Sequence, residues 1–526
     1  MVATTQVRAV APSRWQAALI GSVAAMSALA AGELVAAVIG AATSPVTAIA
    51  NNFIDSFAAS LKSIAVALFG THDKVALVVG IVAVSATIAA LLGLASRRWR
   101  HAGPVGIVLF GALGGWVMAT DPQGERGTAI ITSLAAIAVG VATFVGLWNV
   151  CLADQAAMRS ANVNDDPAAE SRLEPLDRRR VLVAAGGVVV ASGAGAILAR
   201  RIRASDSVAA ARDELVLPGA RRTVALPETR RADSLGASTY ITPNSDFYRI
   251  DTAVLTPQVS IDSWSLEIDG LVERPARITY DELIAHDSIA VPVTISCVSN
   301  EVGGRLVGTA VWQGVPLADL LDRVGVERVA QQVVGRSVDG FTAGFPLGVA
   351  VDGRDALVAY AMNGEPLPVE HGYPVRLIVP GLYGYVSATK WLERIELTTW
   401  DGFDGYWINR GWSKEGPIKT ASRIDVPRDG IAAGKQTVAG VAWAPHRGIS
   451  QVELQVDDGE WMACQLGAVA SDDTWVQWWF EWEATVGRHE LRIRATDGTG
   501  TTQTGDRHSP APNGATGWHS RVVNVT

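Results

Sequence analysis

The sequence predicts a multi-domain chain of three parts: N-terminal transmembrane α-helices, then an α+β domain, then an all-β immunoglobulin-like sandwich. Long apolar runs are confined to the part before residue 205. Short β-rich runs punctuated by Gly, Pro and Asp begin near residue 240, and after Pro417 apolar and polar residues alternate almost throughout. Charge divides the same way. Residues 1–204 hold 16 basic and 11 acidic side chains, a balance of +5, while residues 205–526 hold 28 and 41, a balance of −13. An acidic second part does not suit nucleic acid as a partner. Only 18% of residues are charged and 49% are hydrophobic, which excludes disorder and a coiled-coil rod.

The first element is a four-span membrane domain over residues 1–151, with apolar runs at 16–42, 75–95, 104–120 and 128–150. Most approach the roughly 20 residues that a spanning helix requires. A stretch at 53–69 is interrupted by Asp55 and Lys62 and reads as an interfacial helix. Arg8 and Arg14 precede the first run, and Arg97, Arg98 and Arg100 follow the second, so both flanks should face the cytoplasm. Glu33, inside the first run, is a functional candidate by position, but it reads better as a structural carboxylate near an interface or a neighbouring helix. No histidine lies inside a run, since His72 and His101 are in flanking segments, which disfavours a membrane-embedded bis-histidine haem.

Residues 152–177 are polar and rich in Asp, Pro and Ala, and read as a cytoplasmic linker without a packed core. Next comes Asp177-Arg178-Arg179-Arg180-Val181-Leu182 and an apolar, Gly/Ala-rich run, so that 178–204 resembles a twin-arginine export signal in an internal position. The plainer alternative is an ordinary fifth span. Either reading makes the chain a multi-pass cell-membrane protein with everything after residue 205 on the extracytoplasmic side.

The α+β domain spans 205–415, with strands expected at 264–270, 291–296, 375–379 and 391–397. Leu317, Leu320, Leu321 and Val324 recur at helical spacing, placing a short helix at 316–324. The tail, 416–526, has strands expected at 437–443, 451–456, 475–483 and 489–496, and about seven short strands at this spacing suggest the sandwich.

Cysteine usage narrows the chemistry. Cys151, Cys297 and Cys464 form no CxxC pair and no CxxCH segment, so a zinc ribbon, a disulfide framework and c-type haem attachment are excluded. Cys297 stands in Thr294-Ile295-Ser296-Cys297-Val298-Ser299-Asn300-Glu301, where a strand ends in a thiol before a polar turn. A thiolate there suits a soft metal or a nucleophile. Downstream, Glu370-His371-Gly372-Tyr373-Pro374-Val375-Arg376 and Ala388-Thr389-Lys390-Trp391 place His371, Arg376 and Lys390 around glycine-rich loops that suit an anion such as a phosphate.

With these segments the sequence resembles the sulfite oxidase family of molybdopterin enzymes, above all its exported bacterial members, from about Tyr240 to the C-terminus. The Cys-x-x-Asn, His-Gly-x-Pro-x-Arg and Lys-Trp-Leu segments occur in the family's order. The resemblance implies that Cys297 is the thiolate ligand of molybdenum and the catalytic centre's protein anchor. It implies that Asn244, Tyr248 and Arg249 form the first molybdopterin-contacting loop, with Asn300 beside Cys297 and Asp339 as a mid-domain contact. His371 and Arg376 would hold the pterin and its phosphate, and Thr389 with Lys390 would close over it. Taken singly, His371 reads as well as a satisfied turn residue, Arg376 as a surface ion-pair partner and Lys390 as a strand-edge charge.

The resemblance further implies two-electron oxygen-atom transfer on a small oxyanion or oxide, and a homodimer through 416–526. No haem is expected in this chain, so a separate electron carrier, a cytochrome or a quinone, is implied. One position departs from the family. Animal and plant sulfite oxidases carry an arginine directly after Cys-x-x-Asn that helps bind sulfite, and here that residue is Glu301. An oxyanion would be repelled unless Arg305 or Arg249 compensates, so reduction of S- or N-oxides such as methionine sulfoxide is the alternative activity. A cofactor-free thiol enzyme using Cys297 with His371 as base, and a non-enzymatic surface binding protein, remain as other classes.

Overall fold

A computed structural model describes residues 11–41, 43–56, 73–121, 125–162, 167–205, 208–228, 231–253, 255–428 and 430–526. The chain divides into two units, Met1–Ser207 with Thr252–Leu255, and Val208–Asp251 with Thr256–Thr526.

The first unit is helical: α1 (Arg14–Val38), α2 (Pro45–Ser56), α3 (Asp73–Ser96), α4 (Ala102–Thr120), α5 (Arg126–Asn162) and α6 (Pro167–Ser205). Ser13 starts α1 through a capping box, its backbone N–H donating to Gln16 Oε1 at 2.8 Å. Five stretches, Arg14–Val38, Ala76–Ser96, Ala102–Thr120, Arg126–Ala153 and Arg180–Ala199, are long and apolar enough to cross a membrane. α1 and α3 cross at Gly21 and Gly93, where a Cβ would come within 1.9 Å of Ala89 O and 2.0 Å of Ala17 O, so only glycine permits the approach. The Glu33 carboxylate accepts from Val46 N–H at 3.4 Å in the first turn of α2, as the structural reading of that residue expects.

The interfacial helix expected at 53–69 falls mostly outside the described residues, α2 carrying the chain only to Ser56. Residues 152–162 and 167–177, expected as a linker, are helical continuations of α5 and α6. Ala, Arg, Glu and Leu dominate there, and these are strong helix formers even where no core is available. The twin-arginine-like segment therefore lies inside α6 with no break before it among the described residues.

The second unit contains four sheets. Its strands are β1 (Arg222–Thr223), β2 (Ser265–Gly270), β3 (Ala276–Thr279), β4 (Ile289–Ser296), β5 (Val307–Pro316), β6 (Gln332–Ser337), β7 (Thr342–Pro346), β8 (Leu357–Met362), β9 (Glu365–Pro366), β10 (Arg376–Ile378) and β11 (Leu392–Thr398), then in the tail β12 (Ala421–Val426), β13 (Gly434–Trp443), β14 (Ile449–Val456), β15 (Met462–Ala463), β16 (Gln465–Leu466), β17 (Val476–Ala484), β18 (Gly487–Asp497) and β19 (His519–Val525). One sheet runs β1-β4-β5-β8-β10, with β9 on β8, and a second runs β3-β2-β11-β6-β7. The pairs β1/β4 and β2/β11 are parallel, giving mixed sheets. The helix Leu317–Val324 buries Leu317, Leu320, Leu321 and Val324, the four residues whose spacing predicts it.

The tail forms two four-stranded sheets, β12-β13-β17-β16 and β15-β14-β18-β19. Their facing sides share one core of Ile424, Val438, Trp478, Leu454, Leu491 and Ile493, all fully buried. Alternation along β14 and β18 sets this face, as the period of two requires.

β4 is buried along its whole length. Ile289, Val291, Val293 and Ile295 face one cluster, while Thr294 meets the tail. Thr294 N–H donates to Asp473 O at 2.9 Å, Trp475 N–H donates to Thr294 Oγ1 at 2.7 Å, and Thr309 Oγ1 lies 2.5 Å from the same oxygen. The Trp475 indole donates to Tyr240 O at 2.9 Å. Thr294→Val is nearly isosteric but strands the Trp475 N–H, so it should destabilise the fold by about 1–3 kcal/mol. The loss should appear as a lowered thermal midpoint of the detergent-solubilised full chain, and an unchanged midpoint would contradict the brace.

Candidate active site

β4 ends at Ser296 and delivers Cys297, 9% exposed, into a closed loop. Cys297 N–H donates to Leu306 O at 2.9 Å, and Asn300 N–H donates to Cys297 O at 3.1 Å. Asn300 Oδ1 accepts from Leu306 N–H at 2.8 Å, so the buried Asn300 side chain holds the loop shut.

A cationic cradle converges nearby. The strand β10 starts at Arg376, whose buried guanidinium lies 5.0 Å from the Trp312 ring and donates from Nη1 to His371 O at 2.9 Å. Burial lowers its pKa to about 10. Between the two residues the chain turns at Gly372, with φ +110°, where a Cβ would press on Lys390 Cβ at 3.0 Å and Arg376 Cβ at 3.2 Å. His371 is buried edge-on against Phe247, and its Nε2 donates to Asn244 O at 3.2 Å. Burial, then Arg376, draws the imidazole down to about 4, so the ring is neutral at pH 7 and is not one of the cradle's charges.

Lys390, also buried, donates to Asp251 Oδ2 at 2.9 Å and Glu370 O at 3.0 Å. Asp251 also takes Arg249 Nε at 2.8 Å, and Arg249 reaches Thr256 Oγ1 at 2.8 Å. Burial lowers Lys390 to about 8 despite Asp251. Asp339, in the β6–β7 turn, accepts from Phe341 N–H at 3.0 Å, and burial raises its carboxyl. The charge of Asp251 adds to this rise and that of Lys390 opposes it. Tyr248 is half-buried, and its phenol is raised by burial, then by the charge of Cys297, with Arg376 opposing. Asn244 is turned inward, its Oδ1 accepting from Asn363 Nδ2 at 2.8 Å and its amide donating to Glu365.

Sequence reasoning missed two members of this set. Asp251, which joins Arg249 to Lys390, belongs to no motif, and its spacing of two from Arg249 is its only signal. Tyr383 lines a cavity of about 440 Å³ beside the Cys297 loop, together with Ser296, Asn300 and Glu301. Burial, with a contribution from Cys297, pushes its phenol up to about 12.

Two buried polar atoms, Arg376 Nε and Thr389 Oγ1, have no hydrogen-bond partner among the described residues. Native interiors rarely leave such atoms unsatisfied, and an anionic ligand with several oxygens would satisfy them. Among the described residues no group of three His, Cys, Asp or Glu is arranged to hold a metal ion. One thiolate with an anion cradle therefore fits a metal that arrives with its own ligands, and does not fit an all-protein metal site.

Residues 253–407 match the family described as oxidoreductase molybdopterin binding domain, so the chain carries a molybdopterin-binding oxidoreductase domain. It is 28% identical over 330 residues to an NADH nitrate reductase of Hordeum vulgare, covering 50% of this chain and 36% of that protein. It is 35% identical over 178 residues to NADH nitrate reductase 1 of Nicotiana tabacum, covering 29% of this chain and 20% of that one. The chain thus spans about a third or less of the length of these curated relatives. Among solved structures, the sulfane dehydrogenase SoxCD of Paracoccus pantotrophus superposes with a TM-score of 0.47 at 22% identity, over 55% of this chain and 84% of that one.

Lys390 gives the site a pH dependence. Its folded pKa is depressed to about 8, so the cofactor-free protein loses this positive charge as pH rises through that value. Uptake of an anionic pterin by apo-protein should then weaken above pH 8 and stay level between pH 6 and 7.5. Lys390→Gln should bind the pterin weakly at every pH and lose this dependence. Pterin fluorescence after gel filtration reads both, and a wild-type affinity that is flat to pH 9.5 would contradict the assignment.

Proposed function

We propose that this chain is a membrane-anchored molybdenum-cofactor oxidoreductase that carries out two-electron oxygen-atom transfer, as the sulfite oxidase family does. The observation that carries the reading is the strand-end thiol Cys297 together with the buried cations Arg376 and Lys390, where Arg376 Nε and Thr389 Oγ1 have no partner among the described residues. A molybdenum–dithiolene pterin, when bound, would supply a metal able to exchange two electrons and one oxygen atom with a substrate.

The chain's own residues bind and orient. Cys297 is the proposed thiolate ligand, on a loop closed by Asn300 and Leu306. Arg376 and Lys390 neutralise the pterin phosphate, with Asp251 setting the position of Lys390 and Arg249. Neutral His371 contributes a ring nitrogen whose tautomer is fixed by its bond to Asn244 O. Tyr248 supplies a phenol that feels the charges of Cys297 and Arg376, Thr389 a hydroxyl, and Asp339 a half-buried carboxyl. Asn244 and Asn300 position the loops around the site through the bonds that their side-chain oxygens accept from Asn363 and Leu306.

Five apolar stretches support a multi-pass anchor, and the arginines flanking α1 and α3 favour an extracytoplasmic catalytic domain. The two facing sheets of the tail support an immunoglobulin-like sandwich, proposed as the dimerisation domain, and the electron carrier is a separate cytochrome or quinone. On substrate, Glu301 is exposed on the Cys297 loop and lines the adjacent cavity. Arg249 is held by Asp251, and neither it nor Arg305 lines that cavity. This favours reduction of an oxide, or of a monoanion such as the nitrate for which the similar plant reductases are named, over oxidation of sulfite.

Protein purified from molybdenum-replete cells should carry about one molybdenum per chain and release a pterin on denaturation. Cys297→Ser should retain pterin but lose activity in a substrate screen of sulfite, nitrate and S- and N-oxides with redox dyes. A molybdenum-free protein, or unchanged activity in Cys297→Ser, would sink the reading.

A further inference from the structure

The cavity beside Cys297 has a charge arrangement that no part of the cofactor site accounts for. Five titratable groups line it: Glu301, Tyr383, Lys419, Arg447 and Asp497. Arg447 and Asp497 cancel. Arg447 Nε donates to Asp497 Oδ2 at 3.0 Å, and Nη2 donates to Ile418 O at 2.9 Å. Asp497 also accepts from Thr420 Oγ1 at 2.8 Å and Thr499 Oγ1 at 2.6 Å. Burial raises the Asp497 carboxyl, but these bonds outweigh it and hold the group well below the usual carboxylate range.

Lys419 is different. Its ammonium, half-buried, donates to Gly514 O at 2.7 Å and Asn513 Oδ1 at 3.0 Å, and no carboxylate among the described residues pairs with it. Two of its three N–H donors are used, which leaves one for the cavity. Its backbone N–H donates to Tyr383 OH at 3.3 Å. Gly514, with φ +99°, brings the two groups together, since a Cβ there would lie 2.5 Å from Tyr383 OH while its own carbonyl holds Lys419 Nζ. The Tyr383 hydroxyl proton goes to no acceptor among the described residues. A partly buried ammonium and a phenol donor thus line the same cavity as Glu301, and no carboxylate among the described residues pairs with that ammonium.

Resting on the molybdopterin reading above, we propose that this cavity is the substrate chamber and that Lys419 with Tyr383 determines its specificity. The pair receives one oxo group bearing at most a single negative charge. A dianion would meet one unpaired cation and the Glu301 carboxylate in the same cavity. Lys419 therefore takes over, from the tail, the charge that the Cys297 loop lacks at Glu301, but supplies only enough for a monoanion or a polarised neutral oxide.

The test uses the full-length holoenzyme in phosphate-free buffer. Calorimetric titration should show nitrate binding at least about tenfold more tightly than sulfate. Lys419→Met should raise KM for nitrate about tenfold or more, with kcat falling less than KM rises, and should alter KM for dimethyl sulfoxide far less. Lys419→Arg should restore most of the nitrate affinity, which a merely structural lysine would not require. Glu301→Arg should strengthen sulfate binding about tenfold or more. Sulfate bound as tightly as nitrate by the wild type, or an unchanged nitrate KM in Lys419→Met, would overturn the proposal. A molybdenum-free chain that still prefers nitrate over sulfate, and loses the preference in Lys419→Met, would refute the cofactor reading and leave the chamber's charge selection standing.

Discussion

The burial of β4 is the constraint from which the site follows. A strand paired on both edges and covered on both faces has a fixed register, so the residue at its end is fixed in space. That residue is Cys297. One face of the strand packs on Trp312 and Tyr373, and the Trp312 ring in turn carries Arg376. Thr294 is held by the tail segment at Asp473 and Trp475. The thiol, the cradle and the tail cavity are thus positioned by one element, and loosening it would misplace all three.

Electrostatics reinforce this arrangement. The second part of the chain carries a balance of −13, yet Arg376 and Lys390 are buried cations, and Lys419 is a partly buried one. Burying charge is costly unless it is paired, and the pairing here is incomplete. Lys390 has Asp251, but Arg376 has a carbonyl and an aromatic face, and Lys419 has a carbonyl and an amide. Burial lowers the pKa of all three. An anion at each of the two places would relieve that cost, so the destabilisation of the empty fold and the affinity for ligand have the same physical origin.

Much of this was legible in the sequence, and the rest was hidden for identifiable reasons. The helix at Leu317–Val324 and the strands β2, β4 and β11 follow from periodicity, because each has one or two faces in the core. Cys297, His371, Arg376 and Lys390 were marked by short motifs with local turn chemistry. The family's motif gave Asn244 and Asn300 as ligand contacts; the side-chain oxygen of Asn244 accepts from Asn363 and that of Asn300 from the Leu306 N–H, bonds that no motif signals. Asp251, Tyr383 and Lys419 stayed hidden because each acts across more than thirty residues of chain or across a domain boundary. Lys390 lies 139 residues from its carboxylate, and Lys419 lies 95 from the carbonyl that holds it. Residues 152–177 carry helix propensity without an apolar face, which a reading based on burial takes for a linker.

The most direct test of the account is X-ray absorption at the molybdenum edge on the purified full chain, wild type beside Cys297→Ser. The account predicts a metal whose sulfur coordination falls by one in the variant while pterin content is retained. A sulfur shell that is identical in both proteins would contradict the assignment of Cys297 and, with it, the role given to β4.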